Sequence, residues 1–357
     1  MKRYLIVHSL PAACCARYGT SIAASLFCAR LAKAGRFDHV FSIPPTNVHV
    51  YAGTEPDEGI EVVQAKIRGR SRLSRILACL VEQLRVFRRI EKHASVWFYN
   101  MDAQSALLFL LLRGFKPSVR LQVVVADFTP GQRMGGFLLR LINRSDGMIT
   151  LSDSPLFTHP AKVVLPGIVP DSAPYPEVSA PVARSFLLSG ALDRRISSLP
   201  TVLEAFAGMP GCTLHITGFL YDTSEVDAYA ASHPWIRYHG ILPAEAFNAL
   251  LETVPFVLST RDPSFPENQC NFPSKVLEAL HHNRIVVSTI HYPQLEGVRY
   301  FEVPSREDAF AAALREIADK SDEELLPYAN QGDDVKARFE AAVWLDTINR
   351  IEHGDRI

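Results

Sequence analysis

Short, unbroken apolar runs rich in β-branched residues alternate with helical segments along almost the whole chain, and that alternation most constrains the fold. In the first half, strands are expected at Tyr4–His8, His39–Ile43, Val62–Gln64, Val96–Tyr99, Leu121–Ala126, Met148–Leu151 and Lys162–Leu165. Helices are expected between them at Thr20–Ala34, Leu73–His93, Ala103–Arg113 and Met134–Asn143. The strand runs are continuously apolar rather than alternating, as when helices cover both faces of a parallel sheet. A doubly wound α/β domain follows.

The pattern breaks at residues 166–181, where five prolines rule out regular helix and central strand. It restarts at Phe186–Ser189 and continues with strands at Thr213–Thr217, Ile236–His239, Phe256–Ser259 and Ile285–Ser288. The helices alternating with them are Ser198–Ala207, Ser224–Ser232, Ala244–Glu252 and Ser274–His281, with a last long one near Val335–Glu352. The expected division is an N-terminal Rossmann-like domain over 1–167, a Pro-rich linker over 168–183, a second Rossmann-like domain over 184–330, and a C-terminal helical segment over 331–357 that could cross back to the first domain. At 357 residues the chain is of ordinary size for two such domains. Two such sheets bind ligands at the carboxyl ends of their strands, in a cleft between them.

Several function classes are excluded early. The apolar run Tyr4–Val7 is too short for a signal sequence, and Ala106–Leu112 is far below the roughly 20 residues that span a bilayer. The six cysteines form no CxxC and no ligand-like pairing with histidine, so reduced thiols and a cytoplasmic location are expected. His281 and His282 are adjacent on a helix, do not point the same way and have no third ligand in sight, so a favourable charge at a helix C-terminus is expected there and no metal site.

Charge is divided between the halves. Residues 1–170 hold 22 Lys+Arg against 11 Asp+Glu, and residues 171–357 hold 15 against 27. Much of the excess lies between Lys66 and Lys92, where nine basic residues face only Glu82 and Glu91. In the same segment Ile76, Leu77, Leu80, Val81, Leu84, Phe87 and Ile90 form one helical stripe, expected to pack on the sheet. The arginines suit an anionic membrane surface or a lipid-diphosphate acceptor, and a peripheral membrane location goes with that. Nucleic acid fits less well because aromatic interleaving is lacking.

The most informative stretch is Asn271-Phe272-Pro273-Ser274-Lys275-Val276-Leu277-Glu278. Pro273 opens a helix, leaving the first-turn amides and the helix dipole available to an anion. Lys275 adds a full charge and Ser274 a hydroxyl, while Glu278 shares a helix face with Ser274 and can accept from a ribose diol. The same residues also suit a plain helix with Asn271 as its cap. The segment resembles the nucleotide-sugar site of GT-B glycosyltransferases, particularly the retaining group (glycosyltransferase family 4, group 1) that includes bacterial polysaccharide and lipopolysaccharide transferases. Ser189-Gly190-Ala191-Leu192-Asp193-Arg194-Arg195 resembles the strand and loop that open the donor domain, where a basic residue contacts phosphate. His215-Ile216-Thr217-Gly218 and Tyr238-His239-Gly240 resemble the strand ends that flank the nucleotide base.

The resemblance implies two Rossmann-like doubly wound domains facing a central cleft, and transfer of a sugar from a nucleotide diphosphate to a glycan or lipid-linked glycan. No metal and no cofactor are expected, because fixed arginines can stabilise the leaving diphosphate and no Asp-x-Asp ends a strand. The donor-binding set is then Gly190, Arg194, Arg195, Gly218, Gly240, Asn271, Ser274, Lys275 and Glu278. In the first half, Gly19 and Thr20 open a helix on the acceptor side. Asp127 ends an apolar run and is the candidate general base, or a cap for the turn Phe128–Gly131, with His8 and Asp102 as rivals. One departure stands out: the retaining group pairs two glutamates with seven residues between them, and the position that would pair with Glu278 is Cys270. Retention or inversion therefore stays open. So do two other functions of the same architecture, a non-hydrolysing nucleotide-sugar 2-epimerase and a non-catalytic nucleotide-sugar-binding protein.

Overall fold

The computed structural model describes residues 1–49, 59–172, 174, 176–178, 184–193 and 196–354. They form two compact units. Unit 1 comprises Met1–Pro170, Cys270–Phe272 and Phe339–Ile357, and unit 2 comprises Asp171–Gln269 and Pro273–Arg338. Part of the Pro-rich linker, including 179–183, lies outside the described residues.

Unit 1 is built on seven parallel strands, β1 (Arg3–Val7), β2 (His39–Ser42), β3 (Ile60–Val62), β4 (Ser95–Tyr99), β5 (Arg120–Val125), β6 (Gly147–Thr150) and β7 (Lys162–Val164). Their order is β3-β2-β1-β4-β5-β6-β7, so the winding reverses between β1 and β4. Ile6 faces Phe41 on one side and Phe98 on the other. Strands this central are buried on both faces, which is why their sequences read as unbroken apolar runs. Helix α14 (Ala341–His353) completes this unit. Its buried Glu352 accepts from Arg3 Nε at 2.9 Å and Trp97 Nε1 at 3.0 Å. The long helix expected at Val335–Glu352 is in fact two, α13 (Gly332–Phe339) and α14, because Glu340 turns extended between them.

Two expectations in this unit need correction. The first strand does not lead directly into a helix at Thr20. A short helix α1 (Ala12–Tyr18) comes first, ends at Gly19 in the left-handed conformation, and is followed by α2 (Ile22–Ala34), which Ser21 caps through the Ala24 amide. The second correction concerns α3 (Arg72–Arg89), whose apolar stripe packs inward only at its C-terminal end, where Ile90 is buried and Phe87 lies against the core. Its inward face carries Ala78, Cys79, Glu82, Gln83 and Val86, while Ile76, Leu77, Leu80 and Leu84 are exposed. Electrostatics explains the inversion. Glu82 is buried because Arg68 meets it there at 2.7 Å, with Arg68 also donating to the carbonyls of Pro44, Pro45 and Val48. A buried ion pair with its remaining hydrogen bonds made fixes which side of the helix faces in.

Unit 2 has six parallel strands, β8 (Ser185–Ala191), β9 (Thr213–Phe219), β10 (Ile236–Tyr238), β11 (Phe256–Ser259), β12 (Ile285–Ser288) and β13 (Phe301–Glu302), in the order β10-β9-β8-β11-β12-β13. Helices α6 (Leu199–Ala207), α7 (Ser224–Ser232), α8 (Ala244–Thr253), α10 (Ser274–His281) and α11 (Glu307–Ala318) accompany the strands. The core stacks Phe186 on Phe256 at 4.6 Å, with Phe206 edge-on. Here the winding reverses between β8 and β11, which puts the ligand-binding crevice of such a sheet beyond their carboxyl ends.

Candidate functional site

The carboxyl ends of β8 and β11 bring together four features of unit 2. Ser189 and Gly190 sit at the end of β8, and β11 runs into Thr260 and Arg261. After the short helix α9 (Pro266–Cys270), the chain re-enters at Pro273, which is the N-cap of α10 rather than its first residue. Lys275 lies in the first turn and donates from Nζ to the Ser189 carbonyl at 3.2 Å, so α10 is tied to the switch point by a cation.

That cation is unusual. Part of the residue's surface is exposed, yet its ammonium is enclosed enough that burial, and then the charge of Arg261, push its pKa down to about 7. Two positive groups held near each other in a poorly solvated place gain most when an anion joins them. Ser274 is exposed beside Lys275, and Glu278 is partly exposed one turn on.

Glycines shape the neighbouring strand ends. Gly218 has φ 141°, and a Cβ there would lie 1.9 Å from the Gly190 carbonyl oxygen. Gly190 itself, at φ 107°, faces open space. Gly240 accepts from the Gly218 amide at 2.9 Å and from Thr217 Oγ1 at 2.8 Å. The three glycines therefore form a side-chain-free rim where backbone can approach a ligand closely. Next to it, His215 and His239 stack and share a hydrogen bond at 3.0 Å. Burial, followed by His239 and Arg237, lowers the His215 pKa to about 4, which keeps this ring neutral at physiological pH.

The loop after β8 is anchored on both sides of the predicted arginines. Asp193 Oδ1 accepts from the Ile196 amide at 2.6 Å, Ser197 Oγ donates back to the Asp193 carbonyl, and Thr260 Oγ1 donates to the Ser197 carbonyl. Arg194 and Arg195 themselves lie outside the described residues. Arg261 is the residue that sequence reasoning missed. The signal was present, since a basic residue two positions past an apolar strand run occupies the place that drew attention to Asp127 in the first half.

Asn271 and Cys270 belong to unit 1. Asn271 Oδ1 accepts from the Phe128 amide at 2.7 Å and does not cap α10. Cys270 is 2% exposed within the unit 1 core, with its sulfur 3.5 Å from Ser154 Oγ. A carboxylate has no place in such a setting, which gives the departure from the paired-glutamate pattern a physical cause. His281 and His282 are both buried at the end of α10.

One strand over from the unit 1 switch point, Asp127 is exposed just beyond β5, and its amide donates to Asn100 Oδ1 at 3.0 Å. Asn100 holds a left-handed conformation at φ 55° and also accepts from the Ala126 amide at 2.7 Å. The two rivals of Asp127 turn out to be partners. His8 Nε2 is 3.3 Å from Asp102 Oδ1, while Nδ1 is 3.1 Å from the Ile43 carbonyl. Asp102 is itself fixed by the amides of Gln104 and Ser105. Gly19 and Thr20 sit at the α1–α2 junction, where both amides return to the Cys15 carbonyl.

Among the described residues, no cluster of three or more His, Cys, Asp or Glu side chains could hold a metal, and no helix is long and apolar enough to cross a membrane.

No protein-family model matches the sequence, and no curated protein does. Solved structures do match over nearly the whole chain. The lipopolysaccharide outer core galactosyltransferase WaaB shares 14% identity at a TM-score of 0.63, covering 99% of both chains. Anabaena HepE in complex with UDP shares 15% at a TM-score of 0.67, covering 99% of this chain and 100% of its own. Sucrose-phosphate synthase from Thermosynechococcus elongatus shares 14% at a TM-score of 0.70, covering 99% of both. At these identities the likeness is one of fold. The chain has the GT-B architecture of two Rossmann-like, doubly wound α/β units.

Proposed function

We propose that this chain is a glycosyltransferase that takes its sugar from a nucleotide diphosphate bound by unit 2. The observation that carries the reading is the Lys275 ammonium, held at the Ser189 carbonyl beside Arg261, next to the side-chain-free rim of Gly190, Gly218 and Gly240. UDP and UDP-glucose, both bound by Anabaena HepE, are the first ligands to try.

In this reading Lys275, Arg261 and the Arg194–Arg195 pair neutralise the diphosphate, Ser274 adds a hydroxyl donor, and Glu278 accepts from the ribose. The acceptor hydroxyl oxygen bonds to the anomeric carbon as the bond to the diphosphate breaks. The fixed cations stabilise the charge on the leaving group without a metal. Asp127 takes the hydroxyl proton. The acceptor is a glycan or lipid-linked glycan of surface polysaccharide synthesis, reached at a membrane surface through the basic segment 66–92.

The rival base is His8, whose Nε2 lies 3.3 Å from Asp102 Oδ1 without a hydrogen bond to it. Turnover of Asp127→Asn and His8→Gln decides between them, because only loss of the true base slows turnover with donor affinity unchanged. Activity in excess chelator tests the metal-free mechanism, and strict dependence on manganese would contradict it. Incubation with UDP-N-acetylglucosamine and no acceptor separates a transferase from a 2-epimerase, which alone would isomerise the sugar.

A further inference from the structure

Helix α3 exposes the residues that a soluble helix normally buries. Leu73 is 66% exposed, and Ile76, Leu77, Leu80 and Leu84 join it in one row along the solvent side. Eighteen residues make a helix of about 27 Å, so the row is long as well as apolar. Neighbouring α4 (Ala106–Phe115) extends it, with Phe115 74% exposed and its ring edge-on to Phe87 of α3 at 6.5 Å. Contiguous apolar surface of this kind marks a place where something else docks.

The charges around the row say what docks. On a helical projection Arg72 flanks it on one side, and Arg88 and Arg85 flank it on the other. The only acidic residue of α3, Glu82, is buried against Arg68, so the outward face has no carboxylate of its own. Among the described residues, none of Arg72, Arg85 and Arg88 has a carboxylate partner. A second copy of the chain would bring cations against cations. An anionic bilayer presents phosphates to the arginines and acyl chains to the leucines at the same depth.

We infer that the outward face of α3 inserts into the surface of an anionic membrane, with leucines at acyl-chain level and arginines at the headgroups. This deepens the membrane part of the proposed function and rests on it for the partner. The attachment is apolar as well as electrostatic, so it outlasts salt that would screen charge alone.

Flotation with vesicles of phosphatidylglycerol and phosphatidylcholine, compared with phosphatidylcholine alone, tests it at low and high salt. The wild type is expected to float with the anionic vesicles. Leu77→Gln/Leu80→Gln is expected to weaken that binding at least about tenfold, from the loss of buried apolar area. Arg72→Glu/Arg88→Glu is expected to abolish the preference for anionic lipid. Both pairs are exposed, so unchanged melting temperatures show that the fold is kept. Wild-type-like flotation of the leucine pair overturns insertion while leaving a charged membrane contact standing. No flotation of the wild type overturns both. A dimer in sedimentation that only the leucine pair dissolves assigns the face to a second copy and overturns the proposal. UDP binding is read on the same samples. Its absence alongside intact flotation counts against the transferase and leaves this inference in place.

Discussion

Lys275 Nζ donates to the Ser189 carbonyl at 3.2 Å, across the point where the unit 2 sheet reverses its winding. The bond satisfies one of three ammonium protons, and the charge remains available at the mouth of the crevice. This arrangement makes the site sensitive to pH. With the Lys275 pKa lowered to about 7, the ligand-free protein carries the group largely neutral at pH 8, whereas a bound diphosphate restores the proton. Calorimetry at pH 8 in buffers of different ionisation enthalpy is expected to show uptake of up to about one proton per UDP bound. Affinity is expected to fall as pH rises above 7. Stability runs the other way. Between about pH 7 and 10.5 the unfolded chain keeps a proton that the folded one has released, so the contribution of this group to stability rises through that window.

Gly218→Ala is expected to damage unit 2 rather than only its ligand affinity. The new Cβ would fall 1.9 Å from the Gly190 carbonyl oxygen, at a φ of 141° that suits only glycine. A loss of about 1–3 kcal/mol follows, visible as a lower thermal midpoint without ligand.

Glu82→Ala leaves Arg68 charged and buried. The expected cost is about 3–5 kcal/mol, read from urea unfolding, because the desolvation penalty of the guanidinium is no longer offset. Replacing both partners with apolar residues of similar size should cost much less, and an equal loss would mean that the pair is not the cause.

Cys270→Glu would restore a paired-glutamate spacing on paper. It is expected to give a destabilised protein and no gain in turnover, since the side chain enters the unit 1 core beside Ser154. A stable variant with faster transfer would show that the position reaches the sugar.

The sequence reveals the layer order well, because strands buried on both faces leave unbroken apolar runs, and Phe256–Ser259, Ser274–His281 and Ile285–Ser288 form as expected. Periodicity also locates the stripe of α3, but periodicity carries no sign. Which face points inward depends on Arg68 meeting Glu82, a contact between a loop and a helix that no spacing encodes. Likewise Ser274-Lys275 marks an anion site by helix position, whereas the burial of the ammonium comes from Ser189 and Arg261, far away in sequence. Asn271 reads as a helix cap and serves the Phe128 amide instead, while Pro273 takes the N-cap position of α10.

Titration of UDP into the wild type and Lys275→Gln, followed by calorimetry at pH 7, bears most directly on the nucleotide-diphosphate site. The account predicts saturable binding to the wild type and affinity about 10- to 100-fold weaker in the variant, the value of one charge-assisted contact, with thermal stability unimpaired. Equal affinity in the two proteins, or no binding of any nucleoside diphosphate to the wild type, would contradict it.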